Sequence, residues 1–248
     1  MNVAATAWRY SPLLVLAVIW ELMPRLGLIS GEVLPPLTAV SIRFGELAVD
    51  DLWRETGRSM VRGAAGFFAA VILGVLAGVV MAWYRPALVV LNPVLRCFYP
   101  MPKSALIPLT IMWIGIGDPS KAALIFIGCL LPIVMSSFNA ARGVDDVLVW
   151  SARGLGATER EVLWEVVVPA SLPEILSGIR ISLALSFILM VAGELIIGND
   201  GIGYLISLLG EAGDYAGMFA GVITISAVGF FADRGYVALS NRLLIWRE

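Results

Sequence analysis

An acidic side chain inside a long apolar run is costly in lipid and is a functional candidate for that reason. Glu194 is such a residue, roughly 20 residues into the apolar stretch 173–198, so about 30 Å along a helix and nearer its outer side. Gly198, Gly201 and Gly203 follow it. Two roles fit: a gate or contact that shapes a solute path, or an acid that pairs with a neighbour and holds the fold. Left ionised and unpaired, it repels an anion. In the same stretch Ser182, Ser186 and Met190 recur at intervals of four, one helical stripe that either lines a path or packs tightly. Catalytic chemistry has little else to draw on. The chain has no histidine, the usual acid–base group and metal ligand. Cys97 and Cys129 lie in separate apolar stretches without metal or redox spacing and read as inert buried thiols.

The other unusual stretch, residues 151–173, reads SARGLGATEREVLWEVVVPASLP and is charged between apolar flanks. Asp145 and Asp146 suit a helix N-terminus. Leu148, Ala152 and Leu155 form an apolar stripe at i, i+4, i+7. Gly156 is placed to end that helix in the left-handed conformation. Thr158 and Glu161 then carry the spacing of a capping box. A second helix follows, with Val162, Leu163, Val166 and Val167 on one face and Glu161 and Glu165 on another. Pro169 is expected to stop it, and Ser171 with Glu174, plus Pro173, to launch the next element. An amphipathic helix pair at a membrane surface is either interfacial or a docking site. Interfacial helices carry Lys and Arg on the polar face; this one is acidic there, which favours docking to a protein.

The elements that must position these residues follow from composition. Hydrophobic residues make up 59% and charged residues 15%, against about 25% charged in soluble domains; this is an all-α membrane protein. A net charge of −2 offers nothing to nucleic acid. Six spans of suitable apolarity fall at about 8–28, 62–84, 104–117, 121–141, 173–198 and 215–231. The third is short, is interrupted on its approach by Pro100, Pro102 and Pro108, and continues back toward Leu91 as a broken element. Arg9 before the apolar run 12–20 mimics a signal peptide, but no small-x-small cleavage site follows; a retained signal-anchor span is expected. Of the 17 Lys and Arg residues, eleven fall on one side when the N-terminus is inside, among them Arg9, Arg153 and Arg247, so both termini are expected in the cytoplasm. The long outer loop 29–61 contains an amphipathic helix from 36 to 53. Arg54, Arg58 and Arg62 share a face and read as a solvated or headgroup-facing stripe. Gly66, Ala70, Gly74 and Gly78 let helices approach closely, either within one chain or against a second copy. Asn139 reads as a helix-terminal hydrogen bonder, Arg180 as snorkelling inward, Asp233 and Arg234 as the inner end of the last span, and Trp246 as an interfacial anchor.

The loop resembles the EAA loop of ABC-importer permeases: Glu-Ala-Ala, three residues, Gly, nine residues, Ile-x-Leu-Pro. Trp150, Ser151 and Ala152 occupy the first three positions, Gly156 the glycine, Val166 and Val168 the Ile and Leu, and Pro169 the proline. Trp150 replaces the family glutamate and Ser151 the first alanine. The string ARGLGAT…VVVPASLPEILSGIRISLALSF is similar to the nitrate/sulfonate/taurine branch, as are IPLTIMWIGIGDPSK (107–121) and AGELIIGNDGIGYLI (192–206). The resemblance covers about residue 36 to the C-terminus.

The resemblance implies a type I importer transmembrane domain with the fold of the methionine-importer permease. It divides the chain into an N-terminal span and loop start, 1–35, and a permease core, 36–248, with the coupling loop at about 142–172. Two permease subunits, expected to be identical, form the path in the bacterial inner membrane. Two cytoplasmic ATPases grip the loops, and a periplasmic binding protein delivers the solute, a sulfonate-, taurine- or nitrate-like anion. The coupling residues implied are Trp150, Ser151, Ala152, Arg153, Leu155, Gly156, Ala157, Thr158, Glu161, Val166 and Pro169. Ser182, Ser186, Met190 and Glu194 are the path or gate candidates. No cofactor is expected on this chain: ATP and magnesium belong to the ATPase. The residues agree, since no G-x-x-x-x-G-K-[ST] loop exists and Lys103 and Lys121 are not in glycine-rich contexts. An ion-coupled secondary transporter is the alternative; it calls for internal repeats with paired broken helices, and no convincing repeat is visible. A membrane enzyme would need clustered acids, histidines or a metal set.

Overall fold

A computed structural model describes residues 3–49 and 51–247. Its elements are helical: α1 (Val3–Arg25), α2 (Leu37–Val49), α3 (Leu52–Trp83), α4 (Arg85–Phe98), α5 (Leu106–Ile114), α6 (Asp118–Arg142), α7 (Asp146–Gly154), α8 (Glu159–Glu161), a wide π turn Val162–Val167, α9 (Val168–Ile197), α10 (Ile202–Glu211) and α11 (Tyr215–Leu243). Among the described residues four helices are long and apolar enough to cross a membrane: Leu52–Trp83, Asp118–Arg142, Glu159–Ile196 and Tyr215–Leu243. They contain the second, fourth, fifth and sixth expected spans. The first corresponds to α1, 23 residues long. The third is the broken pair α4 and α5, separated by Tyr99–Pro102 and a 3-10 turn, as the clustered prolines require. The side chains of Arg9 and Arg247 lie outside the described ones.

The chain divides into two compact units. One contains residues up to Arg58 together with Gly198–Ala227. In it the Trp20 indole donates to the Pro35 carbonyl at 2.9 Å and meets the Phe219 ring edge-on at 5.4 Å. Arg43 donates to Asp214 at 2.7 Å, and its hydrogen bonds to the Glu46 and Asp214 carboxylates raise its already high pKa. Glu55, 6% exposed, accepts from the Gly201 N–H at 2.7 Å, so a carboxylate stands at the positive end of α10. The expected outer-loop helix 36–53 is shorter than anticipated: it ends at Val49, and α3 starts at Leu52, ten residues before the expected span. Arg54 and Arg58 are exposed and pair with Glu55.

The other unit, Ser59–Ile197 with Val228–Glu248, is built on α3, α6 and α9. Helix α6 runs along α9: Ser136 meets Gly178, Gly128 meets Leu189, and Leu124 meets Gly193. Helix α3 lies against α6 through its small stripe. A Cβ on Gly66 would collide with the Ala122 carbonyl, one on Gly74 with Ile133, and one on Gly78 would sit 2.6 Å from both Ser137 Cβ and the Val134 carbonyl. Of the two uses of the glycine stripe, close packing within one chain is what the helices make. Gly78→Ala therefore forces α3 off the α6 backbone, an overpacking cost of about 1–3 kcal/mol. Gly57→Ala, where a Cβ meets nothing within 4 Å, is expected to be neutral or slightly stabilising. Thermal unfolding of the two variants in detergent checks the difference.

Three expectations need correction. Pro169 does not stop the second loop helix, and Ser171 with Glu174 does not cap a new one. The helix runs unbroken from Glu159 into the span, and the Ser171 hydroxyl donates to the Val168 carbonyl at 3.1 Å within it. The π turn is the reason. Val168 N–H reaches back five residues to the Leu163 carbonyl, which widens the ladder just before a residue that has no N–H and would crowd the preceding turn. Arg62 does not join a solvated stripe; it is 4% exposed. Cys129 is buried, but Cys97 is exposed on the amphipathic α4.

Candidate functional site

The loop after α6 is specified by local hydrogen bonds. The Asp145 carboxylate accepts from the Val147 N–H at 2.9 Å, capping α7. At its end Gly156 has φ +92°; its N–H donates to Arg153 and the Ala157 N–H reaches back to Ala152, at 3.0 and 3.1 Å. This is a Schellman turn, which glycine enters without the cost other residues incur. The next helix opens with a complete capping box. Glu161 accepts from the Thr158 N–H at 2.6 Å and from its hydroxyl at 2.8 Å, while the Glu161 N–H donates back at 3.4 Å. The Thr158 backbone and hydroxyl hold the Glu161 carboxyl below the usual carboxylate range. The box is therefore fully made at neutral pH and loosens only as pH falls through that lowered value. Arg153 spans the turn, donating to both Glu159 oxygens at 2.9 and 3.0 Å with its guanidinium 5.8 Å from the Trp83 ring centre. Val162, Leu163 and Val167 are buried and anchor the turn, while Val166 is half-buried. At 1.5 Å per residue the continuous helix from Glu159 to Ile196 is about 57 Å long, against a hydrocarbon core of about 30 Å. Its first turns therefore project beyond the lipid.

The starts of α3 and α6 and the end of α9 meet at the opposite end of this unit. Glu194 is 1% exposed. Ser59 Oγ lies 2.7 and 2.8 Å from its two oxygens, and Arg62 Nη2 donates to Oε1 at 2.8 Å. Arg62 Nη1 donates to Asp118 Oδ1 at 2.6 Å. One guanidinium thus ties three helices together, and Glu194 stands as a paired acid. Sequence reasoning missed Ser59 and Arg62 as its partners, and Asp118 as the second acid on Arg62. The signal was available in outline: the last arginine of its stripe, at the mouth of one apolar run, and a lone glutamate late in another are costly separately and compatible together.

The serine stripe divides. Ser186 and Met190 line an apolar groove of about 450 Å³ between α3, α9 and the end of α11, with Met60, Phe67 and Tyr236 among its walls. Ser182 is fully buried, and the Cys129 thiol on α6 donates to its backbone carbonyl at 3.4 Å. Neither Ser182 nor Glu194 reaches the groove. In the same unit Arg180 pairs with Asp233 at 2.6 and 2.8 Å.

Among the described residues four helices are long and apolar enough to cross a membrane, and a locally capped loop precedes the longest of them. Residues 64–245 match the family described as binding-protein-dependent transport system inner membrane component, and the chain belongs to that family. It is 34% identical to the taurine transport system permease protein TauC of Escherichia coli (strain K12) over 240 residues, covering 94% of this chain and 87% of that one. It is 33% identical over 235 residues to SsuC of Bacillus subtilis (strain 168), named for aliphatic sulfonates transport, covering 94% and 85%. Its fold matches a subunit of the MetNI methionine ABC transporter in an inward-facing conformation, with TM-score 0.66 and 18% identity over 77% of this chain and 95% of that one. The chain is the non-catalytic permease of an ABC importer, a multi-pass inner-membrane component of a complex whose ATPase is a separate subunit.

Proposed function

We propose that this permease carries taurine-like or other aliphatic sulfonate anions. The similarity to TauC over 94% of the chain carries this reading, and similarity to SsuC supports it. Residues 36–248 are the permease core and 1–35 the leading span. Two copies of the chain frame the path, a periplasmic binding protein delivers the solute, and two ATPases seat on the loops at 142–172, with both termini on the same cytoplasmic side. Ser186 and Met190 are the path-facing members of their stripe. Glu194, neutralised by Arg62, presents no lone negative charge to a sulfonate and acts as a tie at the outer end.

The test is to purify the tagged permease from its native membrane with what accompanies it, reconstitute the complex in proteoliposomes with the matching binding protein, and measure ATP-dependent uptake of labelled taurine. Uptake that unlabelled alkanesulfonates compete away is the expected result. Uptake that they leave untouched, or none with ATP present, overturns the substrate assignment. Absence of any co-purifying ATPase overturns the assembly.

A further inference from the structure

The face that α7 turns outward is unusual for a helix that begins with two acids. Val147, Trp150, Ser151 and Gly154, at i, i+3, i+4 and i+7, are all exposed, while Val149 and Ala152 on the other side are half-buried. Trp150 is 65% exposed and Leu155, at the turn, 90%. Such residues at the water-facing end of a projecting helix are costly unless something covers them.

Charge decides what covers it. Residues 145–165 carry five acids (Asp145, Asp146, Glu159, Glu161, Glu165) and two arginines (Arg153, Arg160), a net charge of −3. Arg153 is held by Glu159. An anionic lipid surface attracts segments of the opposite sign, so the acidic loop faces away from headgroups and toward a protein. The family supplies that protein, an ATPase subunit.

Resting on the reading that this loop docks the ATPase, we propose that Trp150 is the anchor and selector of that contact. Its indole fills an apolar pocket in the cognate ATPase, and the pocket's rim is basic to match the loop. Tryptophan is enriched among the few residues that dominate interface energies, and these sit in desolvated pockets ringed by weaker contacts. Because the family pattern has a glutamate at this position, an ATPase shaped for that carboxylate offers an ion partner where this permease presents a large apolar ring. Trp150 thereby separates cognate from non-cognate motors.

The experiment uses the full permease and the ATPase that co-purifies with it, in detergent, with affinity read by titration. Trp150→Phe is expected to bind within about threefold of the native chain. Trp150→Ala and Trp150→Glu are expected to weaken binding by about tenfold or more while leaving the unfolding temperature unchanged, since the side chain is exposed. Native affinity in the alanine and glutamate variants overturns the assignment. A p-benzoylphenylalanine at position 150 gives a second readout in intact membranes: crosslinking to the ATPase supports the proposal, and crosslinking to lipid overturns it. Replacing residues 146–156, α7 and its turn, by a glycine–serine linker keeps the two layers apart. If that variant releases the ATPase while the Trp150 variants hold it, only the anchor fails; if both hold it, the docking reading fails as well.

Discussion

Arg62→Ala lowers the stability of the permease by about 3–5 kcal/mol, the cost of leaving a buried carboxylate without its counter-charge. Arg62 and Glu194 are 4% and 1% exposed and joined at 2.8 Å, so water does little to compensate for the loss. Glu194→Gln is milder, because an amide still accepts from Ser59. The informative variant is the double one. Replacing Arg62 and Glu194 together by methionines of similar bulk removes both charges, and a buried pair exchanged for apolar side chains is often close to neutral. The double variant is therefore expected to unfold at a higher temperature than Arg62→Ala alone. Asp118, 66% exposed on its side chain, is a lesser partner, and Asp118→Asn should cost within about 1 kcal/mol. Thermal unfolding in mild detergent across the four variants checks the order. An Arg62→Ala chain as stable as the native one shows that the cluster does not hold α3, α6 and α9 together.

That cluster also marks where sequence reading stops. Local hydrogen-bond chemistry was legible because it is written in adjacent residues: Asp145 caps, Gly156 turns and Thr158 pairs with Glu161 at the positions their spacing gives. Spans were legible because apolar length is a strong signal. Proline 169 misled because its effect depends on the turn before it, and nothing in the residues 162–167 announces a π turn; the same run of valines and leucine suits a regular helix. Glu194 could be singled out but not partnered, since Ser59 lies 135 positions away and only the packing of three helices brings it near. The small-residue stripe of α3 had two possible neighbours of equal chemical merit, another helix of the chain or a second copy, and the Ala122 and Val134 carbonyls show which neighbour is used.

Gly156→Asp is expected to abolish solute uptake while the permease still inserts and the ATPase still hydrolyses ATP. The residue sits at φ +92°, where a side chain costs about 1–2 kcal/mol, and a Cβ there would meet no atom within 4 Å. The fold therefore has room for the substitution, and the penalty falls on the turn. An aspartate also places a further acid beside the exposed Arg153–Glu159 pair, where it competes with Glu159 for the guanidinium. Both effects loosen the angle between α7 and the helix that continues into α9. That helix runs without a break from Glu159 to Ile196, so under the proposed coupling role a push on the loop would be carried into the span lining the groove. Asparagine separates the two causes: it enters the left-handed region more readily than most residues and carries no charge, so Gly156→Asn should retain most of the uptake if the charge dominates and lose it if the backbone does. The measurement is uptake and ATP hydrolysis side by side in proteoliposomes. Uptake by Gly156→Asp at the native rate removes the turn from the coupling path; loss of both activities together places the defect in assembly rather than in transmission.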